Sequence, residues 1–168
     1  MPEPVLRLVV PILVFCLAAC QLQTEDEARA ALTRWLYPGE QLAFGAERRC
    51  VAAAYRLSNT MIRARVVRSD FADQAVWHIQ RGQAVALQHP DQTPHDLSVA
   101  LMSSNLARGL GLITAATGPR ACMTDAMARG TYTLMMTPGA MLIYDPVAYS
   151  VVIADFDRMV AVYLRTRY

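Results

Sequence analysis

The chain has 168 residues, with 16 basic and 14 acidic side chains, a formal net charge of +2 and 54 % hydrophobic residues. That balance excludes a bulk nucleic-acid binder. The sequence contains no lysine at all, which excludes lysine Schiff-base chemistry.

The first segment is an apolar run from Leu8 to Ala18, preceded by Arg7 and ended by Leu17-Ala18-Ala19-Cys20. About eleven residues are too few to cross a bilayer, which takes ~20, but they fit the apolar region of a secretory signal. A conventional signal peptidase prefers a small residue three positions before the cut, and Leu17 occupies that place. Leu17-Ala18-Ala19-Cys20 resembles the lipobox of bacterial lipoproteins. The resemblance implies a diacylglyceryl thioether on Cys20, removal of residues 1–19, and acylation of the new amine by a palmitate-type chain. It implies a protein of the cell envelope, lipid-anchored and facing the periplasm. Gln21, where an Asp would retain the protein in the inner membrane, points to the outer membrane.

Four cysteines are present. Cys16 leaves with the leader and Cys20 takes the lipid. Cys50 and Cys122 remain in an oxidising compartment, where two leftover thiols most simply form one disulfide. The alternative is a metal or redox role, although no Cys-x-x-Cys spacing supports it.

Residues 20–24 read as the lipid site and a short tether, and residues 25–168 as a single α+β domain. Thr24 with Glu27 forms a capping box for a helix to Leu36, with Pro38-Gly39 as its stop. Gln41 to Ala46 and Cys50 to Leu57 read as strands, and Met61 to Val67 as a third, since Ile62, Ala64 and Val66 alternate with Arg63 and Arg65. Ser69 is expected to cap a helix over 70–81 ended by Gly82, followed by a short strand over 83–88. Thr93-Pro94 opens the next helix, a second piece follows near Leu106 to Ala116, and Thr124 to Met136 forms the last. Met141 to Tyr144, Ser150 to Ala154 and Val160 to Arg165 form a C-terminal three-stranded meander, with turns at Asp145-Pro146 and Asp155 to Arg158. The fold class is therefore α+β, with helices on one face of a mostly antiparallel sheet.

Candidates for chemistry are sparse. There is no nucleophile-elbow, zinc-protease or phosphate-loop motif, and no cofactor motif. His89, His95 and Asp91 share a loop without a ligand spacing, and the methionines at 123 and 127 read as core filler. Glu40 and Glu47 bracket a strand in a way that would suit a pair of acid/base carboxylates only if the fold brought them together. One feature rises above this background. Six arginines, Arg48, Arg49, Arg56, Arg63, Arg65 and Arg68, lie between Glu47 and Ser69 with no acid among them; Glu47 precedes them, and Asp70 and Asp73 follow as acids they could pair with. Guanidinium forks suit phosphates and carboxylates. Arg48, Arg49, Arg63 and Arg65 are the residues expected to meet an anionic envelope component or an acidic protein partner. The sequence thus points to a lipid-anchored envelope protein with a binding or structural role. The alternative is a small envelope enzyme acting on cell-wall or lipid material.

Overall fold

The computed structural model describes residues 21–63 and 65–167. The leader and Cys20 lie outside the described residues. The elements are α1 (Glu25–Thr33), β1 (Pro38–Ala46), β2 (Cys50–Leu57), β3 (Val67–Ser69), α2 (Ala72–Gln80), β4 (Val85–Leu87), α3 (Pro94–Ser104), α4 (Leu106–Thr117), a 3-10 turn (Gly118–Cys122), α5 (Asp125–Met135), β5 (Met141–Asp145), β6 (Ser150–Asp155) and β7 (Val160–Thr166). The strands form one seven-stranded sheet in the order β1-β2-β7-β6-β5-β4-β3. Only β3 and β4 pair in parallel. The α+β class and the C-terminal β5-β6-β7 meander are as the sequence indicates.

Local signals set the helix starts. Thr24 and Thr93 each accept the N–H of the residue three positions on, and the carboxylates of Glu27 and Asp96 reach back to the cap N–H, so both are capping boxes. Pro94 sits where its missing N–H costs nothing. Asn105 and Thr124 cap α4 and α5 the same way, through side-chain oxygens. Ser69 does not cap α2; its hydroxyl donates to the Phe71 carbonyl, and Phe71 stands at the cap without a side-chain bond.

The helices do not share one face. α2 to α5 cover one side of the sheet, where Leu97, Leu101, Leu112 and Leu134 pack on Leu87, Leu142, Ile153 and Leu164. α1 covers the other side, with Ala28, Leu32 and Leu36 against Ala53, Tyr55, Val152 and Tyr163. Every residue of β5 and β6 is buried, because these strands have protein on both faces. Each large apolar side chain so enclosed contributes about 1.5–3 kcal/mol.

The expected strand over Met61 to Val67 is absent; only Val67–Ser69 pair. Residues 58–63 and 65–66 instead lie between the end of β2 and β3, the far edge of the sheet, on its α1 side. At ~4.8 Å per strand that separation is roughly 24 Å. Ile62 and Val66 still turn inward and join the α1-side core. The alternating pattern is real, but it describes an unpaired strap over a sheet and no member of it. Among the described residues, no helix is long and apolar enough to cross a membrane.

Candidate functional site

The disulfide expected between Cys50 and Cys122 is present, with Cα atoms 6.0 Å apart. It ties the first residue of β2 to the 3-10 turn. Glu47, Cys50 and Cys122 are the one grouping of potential ligand atoms among the described residues. Both sulfurs are spent on the bridge, so they are not thiolate ligands. His78 and His89 are engaged locally, with Gln83 and the Asp91 N–H. Glu40 and Glu47 lie at opposite ends of β1, and Glu40 faces Arg56 at 3.6 Å. They form no carboxylate pair.

The fold divides the four candidate arginines into two sets. Arg48 and Arg49 form the tip of the β1–β2 hairpin, beside the Ala46–Val51 pair. Arg63 and Arg65 belong to the strap, and Arg63 is fixed near the hairpin base, where Pro38 pairs with Leu57. The hairpin is about 25 Å long, so a single patch of all four does not form.

Arg63 and Arg65 instead meet Arg34, a residue not singled out in the sequence. The three line an open cleft of about 570 Å³ together with Ala30, Thr33, Tyr37 and Ile62. The last turn of α1 supplies Ala30, Thr33 and Arg34. The Trp35 carbonyl accepts the Arg63 N–H at 2.8 Å, which pins the strap against the end of α1. The Tyr37 carbonyl accepts both the N–H and the hydroxyl of Ser58, at 2.9 and 3.0 Å, which fixes where the strap begins. The Arg63 guanidinium then lies over the Tyr37 ring, 4.2 Å from its centroid, and Arg34 lies over Trp35 at 4.8 Å.

The electrostatics of the cleft are one-sided. Its lining carries three guanidinium groups and no carboxylate. Arg34 reaches the buried Asp145 carboxylate at 3.4 Å. Among the described residues no carboxylate pairs with Arg63 or Arg65, and Arg63 Nε is buried without a hydrogen-bond partner. Two uncompensated cations, one held rigid by stacking, make a concave site suited to an anion. Nothing in the residue spacing marks Arg34, which joins the site only because α1 ends beside a strap that begins 25 residues later.

Compared with protein-family models, with curated proteins and with solved structures, the chain matches none of them.

Proposed function

We propose that this is a lipid-anchored cell-envelope protein, held to the membrane through Cys20 and facing the periplasm, whose domain binds an anionic partner in the cleft of Arg34, Arg63 and Arg65. The anchor is the reading that the lipobox-like leader supports, and Gln21 favours the outer membrane. The observation that carries the binding role is the cluster of three arginines around one cleft with a single carboxylate among their partners. A partner would present phosphate or carboxylate groups, as lipopolysaccharide, peptidoglycan and acidic protein segments all do.

The test has two parts. The intact mass of protein extracted from membranes is expected to begin at Cys20 and to carry acyl mass; a chain that retains residues 1–19 would end the anchor reading. Calorimetric titration of the extracted protein with inorganic pyrophosphate and with a dicarboxylate is expected to show binding of at least one. The double variant Arg63→Ala/Arg65→Ala should weaken it about tenfold or more, since charge-assisted bonds contribute ~1.5–3 kcal/mol each. Unchanged affinity in a folded double variant would remove the cleft from the function.

A further inference from the structure

The tip of the β1–β2 hairpin carries a second basic group that the cleft does not use. Arg48 and Arg49 are exposed there. The Arg49 carbonyl accepts the Arg167 N–H at 2.9 Å and the Thr166 hydroxyl at 3.2 Å, so a third exposed arginine, Arg167, is bound to the same turn. The start of the described chain is tied to this turn as well: the Leu22 N–H donates to the Glu47 carbonyl at 2.7 Å. Cys20 is two residues upstream of Leu22, and two residues of chain span at most about 7 Å in any conformation. Three exposed arginines therefore stand on the turn to which the start of the described chain is tied, close to the point from which a lipid on Cys20 would leave the domain.

From this placement we infer that Arg48, Arg49 and Arg167 form a membrane-contact surface, which docks the hairpin tip on anionic lipid headgroups around the anchor. The inference rests on the lipid-anchor reading proposed above. It gives the arginines of the tip a role separate from those of the cleft. The geometry favours it in four ways. The anchor leaves no long tether, so the tip is held at the interface whether or not it is charged. Exposed arginines a few ångströms from the headgroups lie within one screening length of their phosphates, ~10 Å at 0.1 M salt. The nearby acids offset them only in part: Glu47 shares the turn, and Glu27, whose carboxylate accepts the Thr24 N–H, lines a groove with Leu22, so two charges stand against three. The disulfide makes the platform stiff, because Cys50 follows Arg49 directly and is bridged to the 3-10 turn.

A fixed orientation of the whole domain follows. With the tip on the membrane, the strands run away from it, and the far end of β2 and the β6–β7 turn stay in the aqueous phase. Arg56 and Arg158 are exposed on that side and serve as internal references.

The experiment is arginine footprinting of the extracted full-length mature protein in vesicles. The probe is phenylglyoxal, read peptide by peptide by mass, in vesicles of phosphatidylcholine alone and in vesicles that also contain phosphatidylglycerol. Labelling of Arg48, Arg49 and Arg167 is expected to slow about fivefold in the anionic vesicles, the factor for one basic residue at an anionic surface. Arg56 and Arg158 should label equally in both, and molar salt should abolish the difference. Equal labelling of the tip arginines in both vesicles, on protein that carries acyl mass, would overturn the docking surface and leave the anchor standing. Absence of acyl mass on the protein extracted from membranes would overturn the anchor and, with it, a docking surface placed around it.

Discussion

The Arg63 guanidinium carbon sits 4.2 Å from the centroid of the Tyr37 ring, at the mouth of the cleft that also holds Arg34 and Arg65. The ring does two things for that cation. It gives the guanidinium a preferred plane, and it substitutes a weak attraction for the ion pair that Arg63 lacks. Tyr37→Ala should therefore weaken binding of an anion such as pyrophosphate about threefold to thirtyfold, the range of ~0.5–2 kcal/mol for a cation over an aromatic face. Tyr37→Phe keeps the face and should bind like the unaltered protein. The contrast is measured by titration calorimetry. If Tyr37→Phe loses as much as Tyr37→Ala, the hydroxyl matters and the stacking account is wrong.

Gly45 and Cys122 supply the second prediction. A Cβ at Gly45 would overlap the Cys122 carbonyl, so the 3-10 turn lies directly on β1 only because residue 45 has no side chain. Gly45→Ala must push the turn away while Cys122 is still tethered to Cys50. The expected cost is about 1–3 kcal/mol, read as a drop of several degrees in Tm. Reduction of the disulfide in the unaltered protein should cost about 4 kcal/mol, from the loop entropy of a separation of 72 residues. Reduction should cost less in the Gly45→Ala variant, because the strain is then released. Additive losses would mean that the glycine and the bridge are independent.

Most elements of this fold are legible in the sequence because their signals are local. Thr24 with Glu27 and Thr93 with Asp96 announce α1 and α3 through bonds that span three residues. The meander strands are marked by apolar runs and by Asp145 and Asp155 at their turns. The distribution of helices over two faces departs from the single covered face expected from the sequence, although a signal for it was there. Met141 to Asp145 and Ser150 to Asp155 do not alternate, and a strand without alternation is one with both faces covered. The strap was harder to read. Ile62 and Val66 alternate with Arg63 and Arg65 as in a half-buried strand, and nothing local says that this stretch finds no pairing partner. The cleft was legible only in part. Arg63 and Arg65 were visible as a charge excess, whereas Arg34 belongs to the site through a tertiary contact. Its lone sequence neighbour of note, Trp35, gives no hint of that.

The two turns of the meander use one device. Asp145 accepts the N–H groups of Val147 and Ala148, and Asp155 those of Asp157 and Arg158, at 2.9–3.1 Å. Each turn then closes through a residue with positive φ, Tyr149 at 50° and Met159 at 53°. Asp155 also takes a 2.6 Å bond from Arg158 and is 5 % exposed, so its carboxylate is hard to replace. Asp155→Ala should cost about 2–3 kcal/mol by leaving two donors without their acceptor. Asp157→Ala, two residues on and exposed, should stay within ~0.5 kcal/mol. Urea unfolding of both variants checks the pair. Equal losses would show that the turn depends on its charge and owes nothing to these bonds.

The last prediction concerns alkaline pH. Tyr55 and Tyr163 are both 0 % exposed on the α1 side of the sheet. Burial pushes both phenols above the ordinary value of 10.0, because the phenolate would lose its hydration; Arg29 beside Tyr55 and Arg165 beside Tyr163 offset only part of this. In the native state these protons are held, while in the unfolded chain they leave near pH 10.0. The stability the two groups contribute is thus fully present below pH 10.0 and lost as pH rises above it. Tyrosinate absorbance and circular dichroism are followed together. Tyr55 and Tyr163 should ionise only as the dichroism collapses. The two differ in one respect: Tyr163 donates to Gln23 at 3.0 Å, whereas the Tyr55 hydroxyl has no partner among the described residues. Tyr55→Phe removes a buried, unsatisfied hydroxyl, so it should leave neutral-pH stability unchanged or raise it by up to ~1 kcal/mol, and move the alkaline midpoint upward. Tyr163→Phe strands Gln23 and should lower stability at neutral pH while still moving the alkaline midpoint upward relative to it. Ionisation of Tyr55 and Tyr163 near pH 10.0 with the dichroism intact would mean that the α1 side of the sheet is open to water.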